Sequence, residues 1–417
     1  MCNPSVKPLF QKNVVWDSGE EGVEGYRIPG IVVTANGTVL AFAESRMTMG
    51  DEAPKHIVMK RSTDGGITWS PTIYLEKSDG SFWAIHKEIL YPNDVSDKKE
   101  VWTNIAPIVD YSTGWIFFFY ALSEGEIFGN NIQRYTRVFY KVSDDDGLTW
   151  SDRIEVTDLL NVKSDGTPNI DEHGYWVTDV NGFPCDYHGR AFHMPGPGHG
   201  IQLSTERLLL QLWNRTALGK LDKDNTFKPI PISERRYGIC TIYSDDHGIT
   251  WKYGSSFGED LHMNESRMVE MDNSDVYINS RYTVEGNNAY RAVAVSHDGG
   301  INWTDIRIDK EFPFTNQCDG GLARLTDSNE DRTRLIYSKN DSPDGRTNLT
   351  LRMSYDEGKT WPVNKTVDES DALYSDLAVL SDKTILVLYE KGKNKPMYCV
   401  RLNIEWLTDS KDNIKKK

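Results

Sequence analysis

The residues of this chain with the means to do chemistry are arginines, acids and tyrosines at the ends of apolar runs. In Tyr26-Arg27-Ile28-Pro29-Gly30 the proline fixes the entry of a strand, so Arg27 projects from the strand's start. A guanidinium there can take a carboxylate through two parallel charge-assisted hydrogen bonds. In Met49-Gly50-Asp51-Glu52-Ala53-Pro54 two acids stand in a loop, where a carboxyl can give or take a proton. Tyr374, in Leu373-Tyr374-Ser375-Asp376-Leu377, carries a phenol that attacks carbon only when a base activates it. Taken singly, each has a plain reading: Arg27 a surface charge, Asp51 a solvated loop acid, Tyr374 a core aromatic. The five cysteines, Cys2, Cys185, Cys240, Cys318 and Cys399, are scattered, form no CxxC or Cys/His cluster with metal spacing, and read as structural. The formal net charge is −15, which argues against nucleic acid or an acidic membrane surface as partner and requires any site for an anion to be locally positive.

The elements that must position such residues repeat. Ser-x-Asp-x-Gly-x-Thr-Trp or a near copy stands five times, at 62–69, 143–150, 244–251, 296–303 and 354–361, with Asn302 replacing Thr in the fourth. Asp and Gly close a tight turn, the hydroxyls bond neighbouring backbone, and Trp plugs between strands, so the box is a hairpin brace rather than chemistry. Alternating runs precede the boxes, as in His56-Ile57-Val58-Met59-Lys60-Arg61. Further hairpins turn at Asn36-Gly37 and at Ser381-Asp382, and no long helical period competes. Short strands in a repeated unit predict an all-β chain of radial blades, a propeller with a polar channel, in which 397–402 closes the ring beside Val14-Val15-Trp16. Residues 1–417 are expected to form one unit. The stretch 160–198 departs from the rhythm, being polar and punctuated by Gly and Pro, and reads either as a loop beside a binding pocket or as a solvent-side insertion.

No apolar run approaches the ~18 residues that span a bilayer. The start Met1-Cys2-Asn3-Pro4 lacks the basic and apolar parts of a secretory signal, which leaves an intracellular protein or one whose signal has been removed; Cys after the initiator also suits a trimmed lipoprotein anchor. The lysine-rich ending reads as a solvated tail. Asn-x-Ser/Thr at Asn36, Asn214, Asn264, Asn302, Asn340, Asn348 and Asn364 reads as accidental.

Arg27-Ile28-Pro29 upstream of these boxes resembles the exo-sialidases of bacteria, trypanosomes and animals, along nearly the whole chain from Tyr26 to about Trp406. The resemblance implies a six-bladed β-propeller and removal of terminal sialic acid with retention of configuration. By it, Arg27, Arg281 and Arg346 are the three arginines that bind the substrate's carboxylate, with Arg352, of the same strand parity, competing with Arg346. Glu390, in Leu388-Tyr389-Glu390, is similar to the acid that holds the first arginine. Tyr374 resembles the nucleophile and Glu265 its base. Asp51 resembles the acid/base aspartate, with Glu52 as the alternative. Arg46 is similar to an arginine near the sugar hydroxyls, and Asn104 and Trp213 are pocket candidates for which core burial competes.

The substrate explains the set. Sialic acid bears an ionised carboxylate on its anomeric carbon, which planar guanidinium forks bind and which repels an attacking Asp or Glu, whereas a neutral phenol avoids that repulsion. Double displacement is implied: Asp51 protonates the leaving oxygen while Tyr374 attacks, and water then releases the sugar. Neither metal nor cofactor is required by this chemistry, and an acidic pH optimum is expected. The partner implied is a sialylated glycan. Transfer to an acceptor, hydrolysis of a deaminated sialic acid, and an inactive sialoglycan-binding propeller are the alternatives. A bacterial secreted, periplasmic or surface location is expected, with the cytoplasm as the alternative.

Overall fold

The boxes fold as their composition dictates. In the first, Asp64 Oδ1 accepts from the backbone of Ile67 at 3.1 Å and Thr68 at 2.9 Å, its Oδ2 accepts the Thr68 hydroxyl at 2.6 Å, and Ser62 Oγ accepts from Gly66 N at 2.8 Å. In the fourth, Asn302 Nδ2 replaces the hydroxyl, donating to Asp298 Oδ2 at 2.7 Å. Among the described residues the indole N–H groups of Trp69, Trp150, Trp251, Trp303 and Trp361 find no acceptor, so these tryptophans contribute apolar area and not hydrogen bonds.

A computed structural model describes residues 6–19, 22–86, 99–124, 135–221, 227–284, 286 and 288–415. The chain is all-β in a propeller-like arrangement. Three antiparallel sheets have four strands and one has five. The strands from Gly25–Val33 to Ile154–Glu155 form one eight-stranded sheet, two antiparallel meanders joined by the single parallel pair Lys55↔Val101. Strand pairing therefore corrects the expectation of six separate blades: four stand alone and the rest is continuous. The reason is local, since the starts of Lys55–Ser62 and Val101–Val109 come close enough to share a backbone bond, Lys55 N to Glu100 O at 3.3 Å.

The innermost strands pack in a ring: Gly25–Val33 touches Ser375–Val379 and Val101–Val109, Ser375–Val379 touches Gly321–Thr326, and that strand touches Met263–Glu270. Phe10–Trp16 pairs with Met397–Leu402 and closes the ring as expected, with Val14 opposite Tyr398. Cys185, Cys240, Cys318 and Cys399 are buried and unpaired, as structural thiols are, while Cys2 lies outside the described residues. Asn214, Asn264 and Asn340 are buried, which removes them as glycan acceptors.

The 160–198 stretch is neither shapeless nor a plain loop. Asn169 N donates to Asn161 O at 2.9 Å, Val177 N to Asn169 O at 2.9 Å and Cys185 N to Val177 O at 3.1 Å, a ladder whose rungs recur every eight residues. Asp171, Asp179 and Asp186 each cap a turn, accepting the backbone N–H groups two and four residues on.

Candidate active site

In a meander, the start of the first strand, the end of the second and the start of the third lie at one edge, so side chains at those positions share one mouth of the ring. Arg27 and Arg46 hold the first two places in one meander, and Glu265 and Arg281 hold them in another. Tyr374 directly precedes Ser375–Val379, Glu390 directly follows Ile385–Tyr389, and Arg346 precedes Thr347–Ser354.

Ile28 has φ +57, a left-handed conformation that a β-branched residue before proline adopts only under constraint, and the strand register slips between Arg27 and Gly30. The bulge sets the direction of Arg27. Its Nε and Nη2 donate to the two oxygens of buried Glu390, each at 3.0 Å. Glu390 also accepts from the backbone of Ile28 at 3.3 Å and Tyr374 at 3.1 Å, tying two innermost strands together.

The Tyr374 hydroxyl, on a residue 5% exposed, lies 2.7 Å from each Glu265 oxygen. Arg281 Nη1 donates to that hydroxyl at 2.8 Å and to Glu265 Oε2 at 2.8 Å. The guanidinium carbons of Arg27 and Arg346 each stand 5.3 Å from the Tyr374 ring centre. The structure thus brings the three arginines together around one phenol. Arg352 is elsewhere, bonded to Asp341, which separates the two competing candidates. Burial first, then the neighbouring Glu265, pushes the Tyr374 phenol well above its usual range, so at rest it is neutral.

Asp51 bridges Arg46 Nη1 at 2.7 Å and Arg27 Nη1 at 3.3 Å, with its side chain 69% exposed. Partial desolvation by the surrounding wall pushes its carboxyl up, but Arg46 and Arg27 outweigh that and hold it at about 2. Glu52 beside it is half-buried. Asn104, buried with φ +46, donates its backbone N–H to Glu44 Oε1 at 2.8 Å and its amide to Pro195 O at 3.4 Å. Trp213 packs on Phe192, ring centres 5.2 Å apart. Asn104 is built into the wall, whereas Trp213 is only half-buried. Through Pro195 the C-terminal end of the ladder stretch reaches this wall.

Sequence reasoning missed Glu44, Lys55, Asn316 and Gln317. Fully buried Glu44 accepts from Arg46 Nε at 2.8 Å, the Thr103 hydroxyl at 2.8 Å and Asn104 N, with Lys55 Nζ at 3.5 Å. Lys55 donates to Asp51 O at 2.5 Å, and burial pushes its ammonium down to about 8. An acid directly continuing the apolar run Leu40-Ala41-Phe42-Ala43 was the available signal for Glu44. Arg346 donates to Asn316 Oδ1 at 3.3 Å and Gln317 O at 3.0 Å, and has no carboxylate at ion-pair distance among the described residues. Deeper in the ring, Arg267 reaches Asp319 at 2.8 Å and Asp376 at 3.2 Å. A Cβ on Gly198 would stand 2.1 Å from that guanidinium, so only glycine fits there.

The chain matches the family described as BNR repeat-like domain over residues 73–387, and a BNR/Asp-box repeat over 60–71. It belongs to the BNR repeat-like domain family. Among curated relatives of this BNR chain, the sialidase of Micromonospora viridifaciens is 29% identical over 415 residues, covering 97% of this chain and 55% of that protein. The sialidase of Bacteroides fragilis is 26% identical over 393 residues, covering 90% and 61%. Among solved structures, the Hadza microbial sialidase Hz136 is 24% identical with a TM-score of 0.71, covering 95% of this chain and 69% of that one, a likeness of fold. The BNR chain spans about half the length of the first of these relatives. The exo-sialidase resemblance drawn from Arg27-Ile28-Pro29 and the boxes is borne out by relatives that are themselves sialidases.

Proposed function

We propose that this chain is a retaining exo-α-sialidase that hydrolyses terminal sialic acid from glycans, with Tyr374 as nucleophile and Glu265 as its base. The observation that carries the reading is the Tyr374 hydroxyl, 2.7 Å from Glu265 and 2.8 Å from Arg281, with Arg27 and Arg346 flanking the ring. Arg27, Arg281 and Arg346 take the substrate's carboxylate, and Glu390 keeps Arg27 in place. As the phenol attacks the anomeric carbon its proton passes to Glu265, and Arg281 stabilises the charge developing on the oxygen. Asp51 gives the leaving oxygen its proton and then activates water. In the free site Asp51 is ionised. A bound carboxylate neutralises Arg27 and adds a like charge nearby, which raises Asp51 toward the protonated form. Arg46 faces the sugar hydroxyls.

The reading includes one catalytic unit over 1–417. It includes a secreted, periplasmic or surface setting, where sialylated glycans occur. A fluorogenic sialoside tests it: the wild type is expected to release the fluorophore, and Tyr374→Phe to lose about 10³-fold or more in kcat while unfolding at the wild-type temperature. Near-native turnover by the folded Phe variant removes Tyr374 from this role.

A further inference from the structure

Behind Arg346, three successive backbone carbonyls each meet a cation. Lys339 Nζ donates to Asn316 O at 3.0 Å, Arg346 Nη2 to Gln317 O at 3.0 Å and Arg291 Nη1 to Cys318 O at 2.9 Å. Lys339 also donates to the Thr315 hydroxyl, and to Asn340 O at 3.3 Å. It is 8% exposed and Arg291 2%. The far side of the segment is tied to the nucleophile's strand, Cys318 Sγ to Leu373 O at 3.4 Å. Lys339 has no carboxylate at ion-pair distance among the described residues, so its burial brings a desolvation cost that a methionine of similar length would avoid. What the ammonium gains is a grip on residues 315–316, and Asn316 Oδ1 and Gln317 O are the two acceptors that aim Arg346.

We propose that Lys339 is a positioning residue for Arg346: by clamping residues 315–316 it sets where that guanidinium stands, and hence how tightly the site holds a ligand's carboxylate. The inference rests on the sialidase reading and deepens it. Among the described residues Arg346 is the one guanidinium of the three whose hydrogen-bond partners are neutral, so its charge is available to a ligand and its aim matters most. The ionisable groups facing Lys339 are Arg291, Cys318, Asp341 and Arg346, with Arg352 behind Asp341. Burial first, then Arg291, pushes the ammonium down to about 7. Above that pH the clamp loses its charge, and carboxylate affinity is expected to fall.

The test uses calorimetric binding of an unsaturated sialic acid analogue and of the same analogue with its carboxylate converted to a carboxamide. The wild type is measured first, from pH 5.5 to 8.5. Binding of neither analogue refutes the sialidase reading, and this inference with it. With wild-type binding in hand, Lys339→Met is expected to weaken the carboxylate analogue about tenfold, to leave the carboxamide nearly unchanged and to abolish the affinity loss above pH 7, while Lys339→Arg restores most of the binding. Equal weakening of both analogues shows a merely structural lysine, and unchanged binding of the carboxylate shows no role; either overturns the proposal and leaves the sialidase reading intact. Asn316→Ala, which removes a side-chain acceptor of Arg346 and leaves the carbonyls, gives the same selective loss if the clamp acts through this segment. A wild-type affinity flat across the pH range also counts against it.

Discussion

The Tyr374 hydroxyl has two acceptor oxygens before it and one guanidinium donor beside it, so its proton has a ready destination and its oxygen a ready counter-charge. Asp51 is the reverse case, an acid kept ionised by Arg46 and Arg27 until a ligand's charge intervenes. The apparent acid pKa in kcat, which reports the bound state, is therefore expected above that in kcat/KM, and coincident values count against Asp51 as the acid. Asp51→Asn is expected to lose 10²-fold or more, as an order-of-magnitude estimate, on a natural sialoside and far less on an aryl sialoside whose leaving group needs no proton. Glu44 serves four cationic or polar partners from full burial, so Glu44→Gln should destabilise the fold by about 3 kcal/mol in denaturant unfolding, because Arg46 and Lys55 are left buried without their acid. Motif resemblance found the residues that gather around Tyr374, because their types and neighbours recur. It did not find Glu44 or Lys55, whose importance lies in partners that chain spacing does not reveal. Nor could period-2 parity choose between Arg346 and Arg352: it assigns both to one face, whereas the strand register slips between Thr347 and Thr350, so that Arg346 meets Asn316 and Arg352 meets Asp341.

At the scale of elements the boxes act as braces, and their aspartates report it. Thr250, through its hydroxyl and its amide, holds the Asp246 carboxyl at about 2. A carboxyl depressed in the folded state contributes stability above its ordinary value near 4 and loses that contribution as pH falls toward 2. Asp246→Ala should cost about 1 kcal/mol at neutral pH, with the difference from wild type shrinking in acid melts; a pH-independent difference would mean that the carboxylate is not the brace. The boxes were legible because a tight turn needs Asp, Gly and a hydroxyl at fixed offsets. The ladder in 160–198 was not, because its rungs lack apolar alternation and each spans only eight residues. Its signal, Asp followed three residues later by Gly at 171, 179 and 186, becomes visible once the turns are seen.

Across the whole molecule, a protein of net charge −15 gathers Arg27, Arg46, Arg281, Arg346 and Lys55 against Glu44, Asp51, Glu265 and Glu390 at one mouth of the ring, leaving one cation in excess there. The ring itself was legible from repeated hairpins, whereas the merging of two meanders into one sheet depends on a contact between strand starts that no local pattern encodes. Closure by Phe10–Trp16 on Met397–Leu402 sets Phe10 directly opposite Leu402. Circular permutation follows from that adjacency: a chain with these two ends joined by a short flexible linker and opened at exposed Gly174 should fold into the same ring with its turnover preserved, as tryptic mapping and the sialoside assay would report.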